Sequence, residues 1–384
     1  MSDDPFPYEA KLRNALVSAA DAARVSDSGV SRPVISAKEL LRFPNWSIRL
    51  VIAVIAVLGV GLPLVALRGL GSHTTSNTGP ASSTLVGAPS ATGFVQLERG
   101  ITDVAAGEGA VWASGPNTVY EIDPSTDVVT AKIPVVGIGD SGQIVAGAGA
   151  VWVSTESGDI VKIDPSTDNV VDSITLGASI KGIATTGSVV YVSQGLEETS
   201  RLVVMDAGSD SVVKSYENLP QSAGGLEVLN NGLIWAASAS GGGSGVLIDP
   251  ETGTVTRPSV SGDAPATSAA GDYWIAQMDG SVARLDPSSN TVVATIRISR
   301  PVDVHSGLGG VWVLTATGSL SPDVYNPDLT KPAMLVLLDP ATNQVVGVPV
   351  PVGISPVHVA VGEGAVWAAQ YDSGGLTRVQ LLNP

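Results

Sequence analysis

A short motif recurs along the chain and sets a period that few folds accommodate. GEGAVWAS at residues 107–114 returns almost unchanged as GEGAVWAA at 362–369. Related phrases place one large aromatic residue every 38 to 44 residues, with a longer interval of 55 before the last. The seven positions are Trp112, Trp152, Tyr191, Trp235, Trp274, Trp312 and Trp367. A period of about 40 residues with turn residues in every unit is typical of propeller blades.

Each repeat divides into four short runs rich in β-branched residues. In the second repeat the runs cover residues 143–146, 150–154, 160–164 and 170–176, a length that is usual for strands. Asp-Pro-Ser-Thr between the third and fourth runs favours a type I turn, because proline fixes φ at the second turn position. Four antiparallel strands in each of seven units predict an all-β fold, the seven-bladed β-propeller.

The two ends of the repeat region complement each other. The last repeat stops at LTRVQLLNP, after its third strand, and GFVQLERG at residues 93–100 matches the pattern of a fourth strand. We therefore expect a strand at 94–98 to complete the seventh blade and to close the ring, which removes an unpaired sheet edge. This gives a propeller domain over 93–384.

Residues 50–67, LVIAVIAVLGVGLPLVAL, contain no charged side chain. As a helix, this segment is about 27 Å long, which with its flanks suffices to cross a bilayer. A buried core helix and a secretory signal are the alternatives. We predict one transmembrane helix at 48–68. Because Lys38, Arg42 and Arg49 precede it, the positive-inside rule puts the N-terminus in the cytoplasm and the propeller outside the cell membrane.

The remaining segments are short. Residues 69–92 are small, polar and uncharged, and this composition predicts a flexible stalk. The tail at 1–47 has one amphipathic helical pattern, at residues 8–25, which could contact a cytoplasmic partner. The chain has no cysteine, and its formal net charge of −16 argues against a nucleic-acid partner.

Polar residues stand at or near the start of the first strand in several repeats. The candidate ligand-binding residues are Asp103, Gln143, Glu227, Thr267, Asp303 and His358. Asp103, Asp303 and His358 belong to repeats that become neighbours when the ring closes, and such ligands suit a divalent metal or a cationic ligand. The alternative is that they only line a wet channel. A long insertion at 315–332 is expected to lie over the same mouth of the channel.

The phrases GAVWVS…IVKIDPSTDNVVDSITLG and VVYVSQ resemble the YVTN-type and streptogramin (virginiamycin) B lyase-like propeller repeats, over residues 93–384. The resemblance implies the seven-bladed fold. Its lyase branch uses a histidine and a divalent metal, which implies a metal-dependent lyase or hydrolase as one alternative. Propeller folds serve unrelated functions. The function predicted first is a membrane-anchored binding, sensing or scaffolding module rather than an enzyme.

Overall fold

The computed structural model describes residues 87–382, except 196–198, 220–223, 238–244, 259, 261–264, 278, 317–319, 322–323 and 326–331. The predicted cytoplasmic helix at 8–25, the predicted span at 48–68 and most of the stalk lie outside the described residues. Within the residues that are described, no helix is long and apolar enough to cross a membrane.

The described residues form thirty strands and one short 3-10 turn, Gly139–Ser141. The first fifteen strands are β1 (Ala88–Gln96), β2 (Asp103–Gly107), β3 (Ala110–Gly115), β4 (Thr118–Asp123), β5 (Val128–Pro134), β6 (Ile144–Gly147), β7 (Ala150–Ser154), β8 (Asp159–Asp164), β9 (Asn169–Thr175), β10 (Ile180–Thr186), β11 (Val189–Gly195), β12 (Ser200–Asp206), β13 (Ser211–Leu219), β14 (Leu226–Val228) and β15 (Ile234–Ala236). The others are β16 (Val246–Ile248), β17 (Val255–Thr256), β18 (Ala266–Ala269), β19 (Asp272–Gln277), β20 (Ser281–Asp286), β21 (Thr291–Arg297), β22 (Pro301–Gly307), β23 (Gly310–Thr315), β24 (Leu320–Ser321), β25 (Val324–Tyr325), β26 (Met334–Asp339), β27 (Gln344–Pro351), β28 (Pro356–Gly362), β29 (Ala365–Gln370) and β30 (Gly375–Leu382).

Seven four-stranded antiparallel sheets confirm the predicted seven-bladed propeller. Blades one to five are β2–β5, β6–β9, β10–β13, β14–β17 and β18–β21. Blade six is β22, β23, β26 and β27, with the hairpin β24–β25 inside the predicted insertion. Blade seven is β28, β29 and β30, and β1 is its fourth strand.

The seven marker aromatics pack between blades. Their side chains are almost completely buried, and six of the seven are tryptophans. The buried apolar residues form seven clusters, each of which combines residues from two adjacent blades. One of them joins blade seven to blade one through residues such as Trp367, Val95 and Val111. The apolar contacts therefore run around the whole ring, as a closed propeller requires.

The outer turns follow the predicted Asp-Pro chemistry. Asp123 accepts hydrogen bonds from the backbone N–H and the hydroxyl of Ser125, both at 2.7 Å. The third repeat, written MDAGS, has lost the proline but keeps the aspartate, and Asp206 accepts from the backbone N–H of Ser209 at 2.8 Å. Hydrogen bonds from serine side chains and backbone N–H groups hold the pKa of these exposed carboxyls below its ordinary value.

Closure of the ring uses a longer strand than the predicted 94–98. β1 pairs with β30 in an antiparallel register from Ala88↔Leu382 to Gln96↔Gly375, with one bulge between Ala91 and Gly93. Residues 88–92, which the composition assigned to a flexible stalk, therefore belong to the sheet. Their small polar side chains gave no strand pattern, so the pairing partner rather than local propensity determines this strand.

Candidate functional site

A cavity of about 370 Å³ lies where the first strands of the blades meet. All seven blades contribute to its wall, which places it at the centre of the ring. Most of the wall is valine, isoleucine and alanine. The polar residues on it are Asp103, Gln143, Thr185, Glu227, Asp303, His305 and His358. Five of the six residues singled out from the sequence therefore face one space.

Thr267 is the residue that does not reach the cavity wall. It is buried, and its hydroxyl lies 3.0 Å from the hydroxyl of Ser306 and accepts the backbone N–H of Ser306 at 3.1 Å. Because Ser306 belongs to blade six, Thr267 ties blade five to the next blade. The structure thus places Thr267 in an inter-blade contact, and its ligand-binding role stays a prediction.

Asp103 and Asp303 play the same structural part in two blades. Asp103 accepts the backbone N–H of Val104 at 2.8 Å and that of Ile144, in blade two, at 3.0 Å. Asp303 accepts the backbone N–H of Val304 at 2.9 Å and that of Val359, in blade seven, at 3.0 Å. Each carboxylate thus satisfies two buried amides and joins its blade to the next.

Asp303 also lies between two imidazoles. Nε2 of His305 is 3.3 Å from Oδ1, and Nδ1 of His358 is 3.6 Å from Oδ2. The rings are only partly buried, with 29% and 37% of their side-chain surface exposed, and both residues line the cavity. His358 lies in β28, the first strand of blade seven, and His305 lies in β22, the first strand of blade six, which also carries Asp303.

His305 was missed by the alignment of polar residues. In most blades a two-residue turn with positive φ at both positions joins the first two strands, as at Leu308 and Gly309, and such a turn fixes the register. It places His305 opposite Trp312, and Glu227 and Thr267 stand opposite the marker aromatics of their own blades. The residues opposite the marker aromatics of blades four, five and six are therefore Glu227, Thr267 and His305. The register of the hairpin identifies His305, which the count of nine residues from the aromatic does not.

Charge interactions in the cavity shift the pKa values of both imidazoles. Burial alone would lower the pKa of His305, but the charge and hydrogen bond of Asp303, together with Glu227 and Asp103, raise it to about 9. Burial has the same effect on His358, and there Asp103 and Asp303 raise the pKa to about 9. Both rings are therefore cationic at neutral pH.

The three carboxyls of the cavity are affected differently. Burial alone would raise the pKa of Asp303, but the two histidines outweigh it and hold the pKa well below its usual range. Burial raises the pKa of Asp103, against the opposing effects of His358 and the two backbone amides. Burial also raises the pKa of Glu227, and only the charge of His305 opposes it.

The geometry bears on the predicted metal ligands Asp103, Asp303 and His358. The oxygens of both aspartates accept backbone hydrogen bonds. Nδ1 of His358 faces Asp303 rather than a position where all three side chains could bind one ion. Across the described part of the chain, no group of three or more acidic or histidine side chains is arranged to hold a metal ion. Metal binding by these residues stays a prediction.

Comparison with known proteins supports the architecture. No family model matches the chain, and no curated protein matches it. Among solved structures, the crystal structure of BamB from Moraxella catarrhalis is similar, with a TM-score of 0.53 and 13% identity. The match covers 76% of this chain and 99% of the BamB chain. At this identity the similarity is one of fold, and the resemblance to YVTN and streptogramin B lyase-like repeats depends on the motifs alone.

Proposed function

We propose that this chain is a single-pass membrane protein whose propeller lies outside the cytoplasm and binds a small ligand in its central cavity. The observation that carries the proposal is the convergence of ionisable residues from four blades on one cavity: Asp103, Glu227, Asp303, His305 and His358. Cavities of a few hundred Å³ with an apolar wall and few polar groups are typical of small-molecule sites. Propellers in general serve as binding or scaffolding modules.

The membrane part of the proposal depends on the sequence. The charge-free segment 50–67 has the length of a membrane span. The basic residues Lys38, Arg42 and Arg49 precede it, and after it only Arg68 occurs before Arg99. This asymmetry favours a cytoplasmic N-terminus. A ligand site on the outer side of an anchored protein suits a sensor or a capture module.

A thermal-shift screen tests the binding function. The full chain, purified in detergent, is screened against metabolites and divalent metals, alongside the double variant Glu227→Gln/His358→Gln. A compound that raises the melting temperature of the wild type and not of the double variant identifies the cavity as the site. If no compound separates the two proteins, the proposed function fails. The lyase or hydrolase alternative stays a prediction that the metals in this screen also address.

A further inference from the structure

The cavity presents hydrogen-bond donors and an acceptor from different blades. The donors are His305 and His358, in blades six and seven. Each ring directs one nitrogen to Asp303, and the exposed part of each ring faces the cavity that it lines. A carboxylate this close favours the imidazolium form of each ring. An imidazolium carries N–H groups on both nitrogens, so the nitrogen turned away from Asp303 is available to donate to a ligand.

Asp303 itself has little capacity left for a ligand. Its Oδ1 faces the amide of Val304 and the ring of His305, and its Oδ2 faces the amide of Val359 and the ring of His358. A carboxylate offers about four lone-pair directions, so these four neighbours occupy it. Asp303 therefore orients the two rings instead of contacting a ligand.

The acceptor is Glu227, in blade four. It lines the cavity, and within the described residues no hydrogen bond or ion pair involves its carboxylate. Glu227 and His305 are close enough for each to influence the pKa of the other. Glu227 is only partly exposed, and a partly desolvated carboxylate without a partner is stabilised when a cationic or donor group pairs with it. Gln143, which offers both a donor and an acceptor amide, lies on the wall in blade two.

We propose that the cavity binds a small zwitterion of the α-amino-acid type, with its carboxylate on the His305–His358 pair and its ammonium on Glu227. This inference rests on the proposed function, since it specifies the ligand of the same cavity. The apolar wall from Ile144 to Ala146 and the volume of about 370 Å³ leave room for a modest side chain.

Ligands of a single charge fit this wall less well. A simple anion would pair with the two rings but would leave Glu227 unpaired in the same cavity. A simple cation would pair with Glu227 but would face two cationic rings. Electrostatic complementarity of this kind discriminates by several kcal/mol in favourable cases, so the preference is measurable with matched probes.

The probes are the free L-amino acids, each compared with its N-acetyl derivative, which keeps only the carboxylate, and its carboxamide, which keeps only the ammonium. Isothermal titration calorimetry is done on the full chain in detergent at neutral pH. We expect at least one free amino acid to bind saturably, and both blocked forms to bind about tenfold more weakly or worse, one lost ionic contact being worth about 1.4 kcal/mol. Equal binding of either blocked form, or no binding of any amino acid, would overturn the inference.

Two variants separate the ends of the ligand. Glu227→Gln should weaken binding of the free amino acid about tenfold but should not weaken binding of the N-acetyl form, because the variant removes a carboxylate that this anion leaves unpaired. His358→Gln should weaken binding of the free amino acid but not that of the carboxamide, which then faces one cationic ring fewer. Glu363→Gln, in a turn away from the cavity, is the matched control and should bind as the wild type does. A loss of all three probe affinities in Glu363→Gln, or equal losses for every probe in Glu227→Gln, would contradict the assignment.

The outcome distinguishes this inference from the proposed function. If manganese or zinc chloride, or another compound class, binds the wild type and not Glu227→Gln/His358→Gln, the cavity is a ligand site but not for a zwitterion. If neither amino acids nor any other probe binds, both proposals are wrong.

Discussion

Asp303 in blade six accepts a hydrogen bond from the backbone N–H of Val359 in blade seven, at 3.0 Å. Asp103 makes the equivalent bond to Ile144 across the boundary of blades one and two, also at 3.0 Å. Both aspartates stand nine residues before the marker tryptophan of their repeats. Both aspartates thus join neighbouring blades, whereas His358, at the same position of blade seven, lines the central cavity.

Replacing either aspartate should destabilise the fold. Asp303→Ala leaves the buried amides of Val304 and Val359 without their acceptor and is expected to lower the free energy of unfolding by about 2–4 kcal/mol. Asp103→Ala should have a similar effect. The control is Asp172→Ala, because Asp172 is exposed and accepts a hydrogen bond from the backbone N–H of its neighbour Ser173. Its free energy of unfolding should change by less than about 0.5 kcal/mol. Urea unfolding measures all three, and an unchanged midpoint for Asp303→Ala would show that the contact is not stabilising.

The repeat made the fold predictable, because each blade repeats the same strand and turn pattern and seven copies define the ring. Side-chain placement was less predictable. Asp103, Asp303 and His358 stand nine residues before their marker aromatics, and all three line the cavity. His305 also lines it but stands seven residues before Trp312, so this count does not find it. Blade four has a longer turn between its first strands, around Asn230 to Gly232, so its register is shifted. Hydrogen bonds between adjacent blades, such as that between Thr267 and Ser306, join residues 39 apart and leave no local signal in the sequence.

The pH dependence of stability should reveal the partly desolvated Glu227. Its folded-state pKa is raised above the ordinary value of 4.5, mainly by burial. Below that value the group is protonated in both states and has no effect, whereas above the folded-state pKa the ionised group destabilises the fold. Glu227→Gln should therefore gain stability relative to the wild type as the pH rises from about 4 to about 8. Denaturant unfolding across this range measures the difference, and a gap that narrows with rising pH would contradict the sign.

Closure by β1 should be required for the stability of blade seven. A chain that starts at Gly100 lacks β1, leaves β30 with an unpaired edge, and loses Val95 from the core between blades seven and one. We expect it to aggregate or to melt well below a chain that starts at Ala88. In the longer chain, Val95→Ala should lower stability by about 1–3 kcal/mol. Equal melting temperatures for the two truncated chains would exclude a stabilising role for this strand.

The proposed orientation in the membrane has a direct test. Because Lys38, Arg42 and Arg49 precede the apolar segment, a periplasmic or extracellular reporter fused after Pro384 should be active, and a cytoplasmic reporter at the same place inactive. Replacing the three basic residues by glutamine should reduce the difference between the two reporters. Activity of only the cytoplasmic reporter in the wild type would overturn the assignment.

A basic side chain beside the marker tryptophan reaches the next blade in three places, and one of them spans the closure of the ring. Arg378 lies over the ring of Trp367 at 5.6 Å and donates to Asp127 in blade one at 3.3 Å. Lys162 reaches Asp210 in blade three at 2.7 Å, and Arg284 reaches Asn343 in blade six at 2.8 Å. These groups are largely buried, so their interactions are screened less than surface ion pairs.

Arg378→Met keeps most of the apolar stem but removes the charge, the cation–π contact and the hydrogen bond to Asp127. We expect a loss of about 1–2 kcal/mol in the free energy of unfolding. Arg297→Met is the matched control, because Arg297 is 76% exposed and lies 3.7 Å from Asp279 in an open ion pair, whose contribution should be below about 0.5 kcal/mol. The double variant Arg378→Met/Asp127→Ala should lose less than the sum of the single losses, since both changes remove the same contact. Additive losses in that cycle would show that Arg378 stabilises the ring through Trp367 alone.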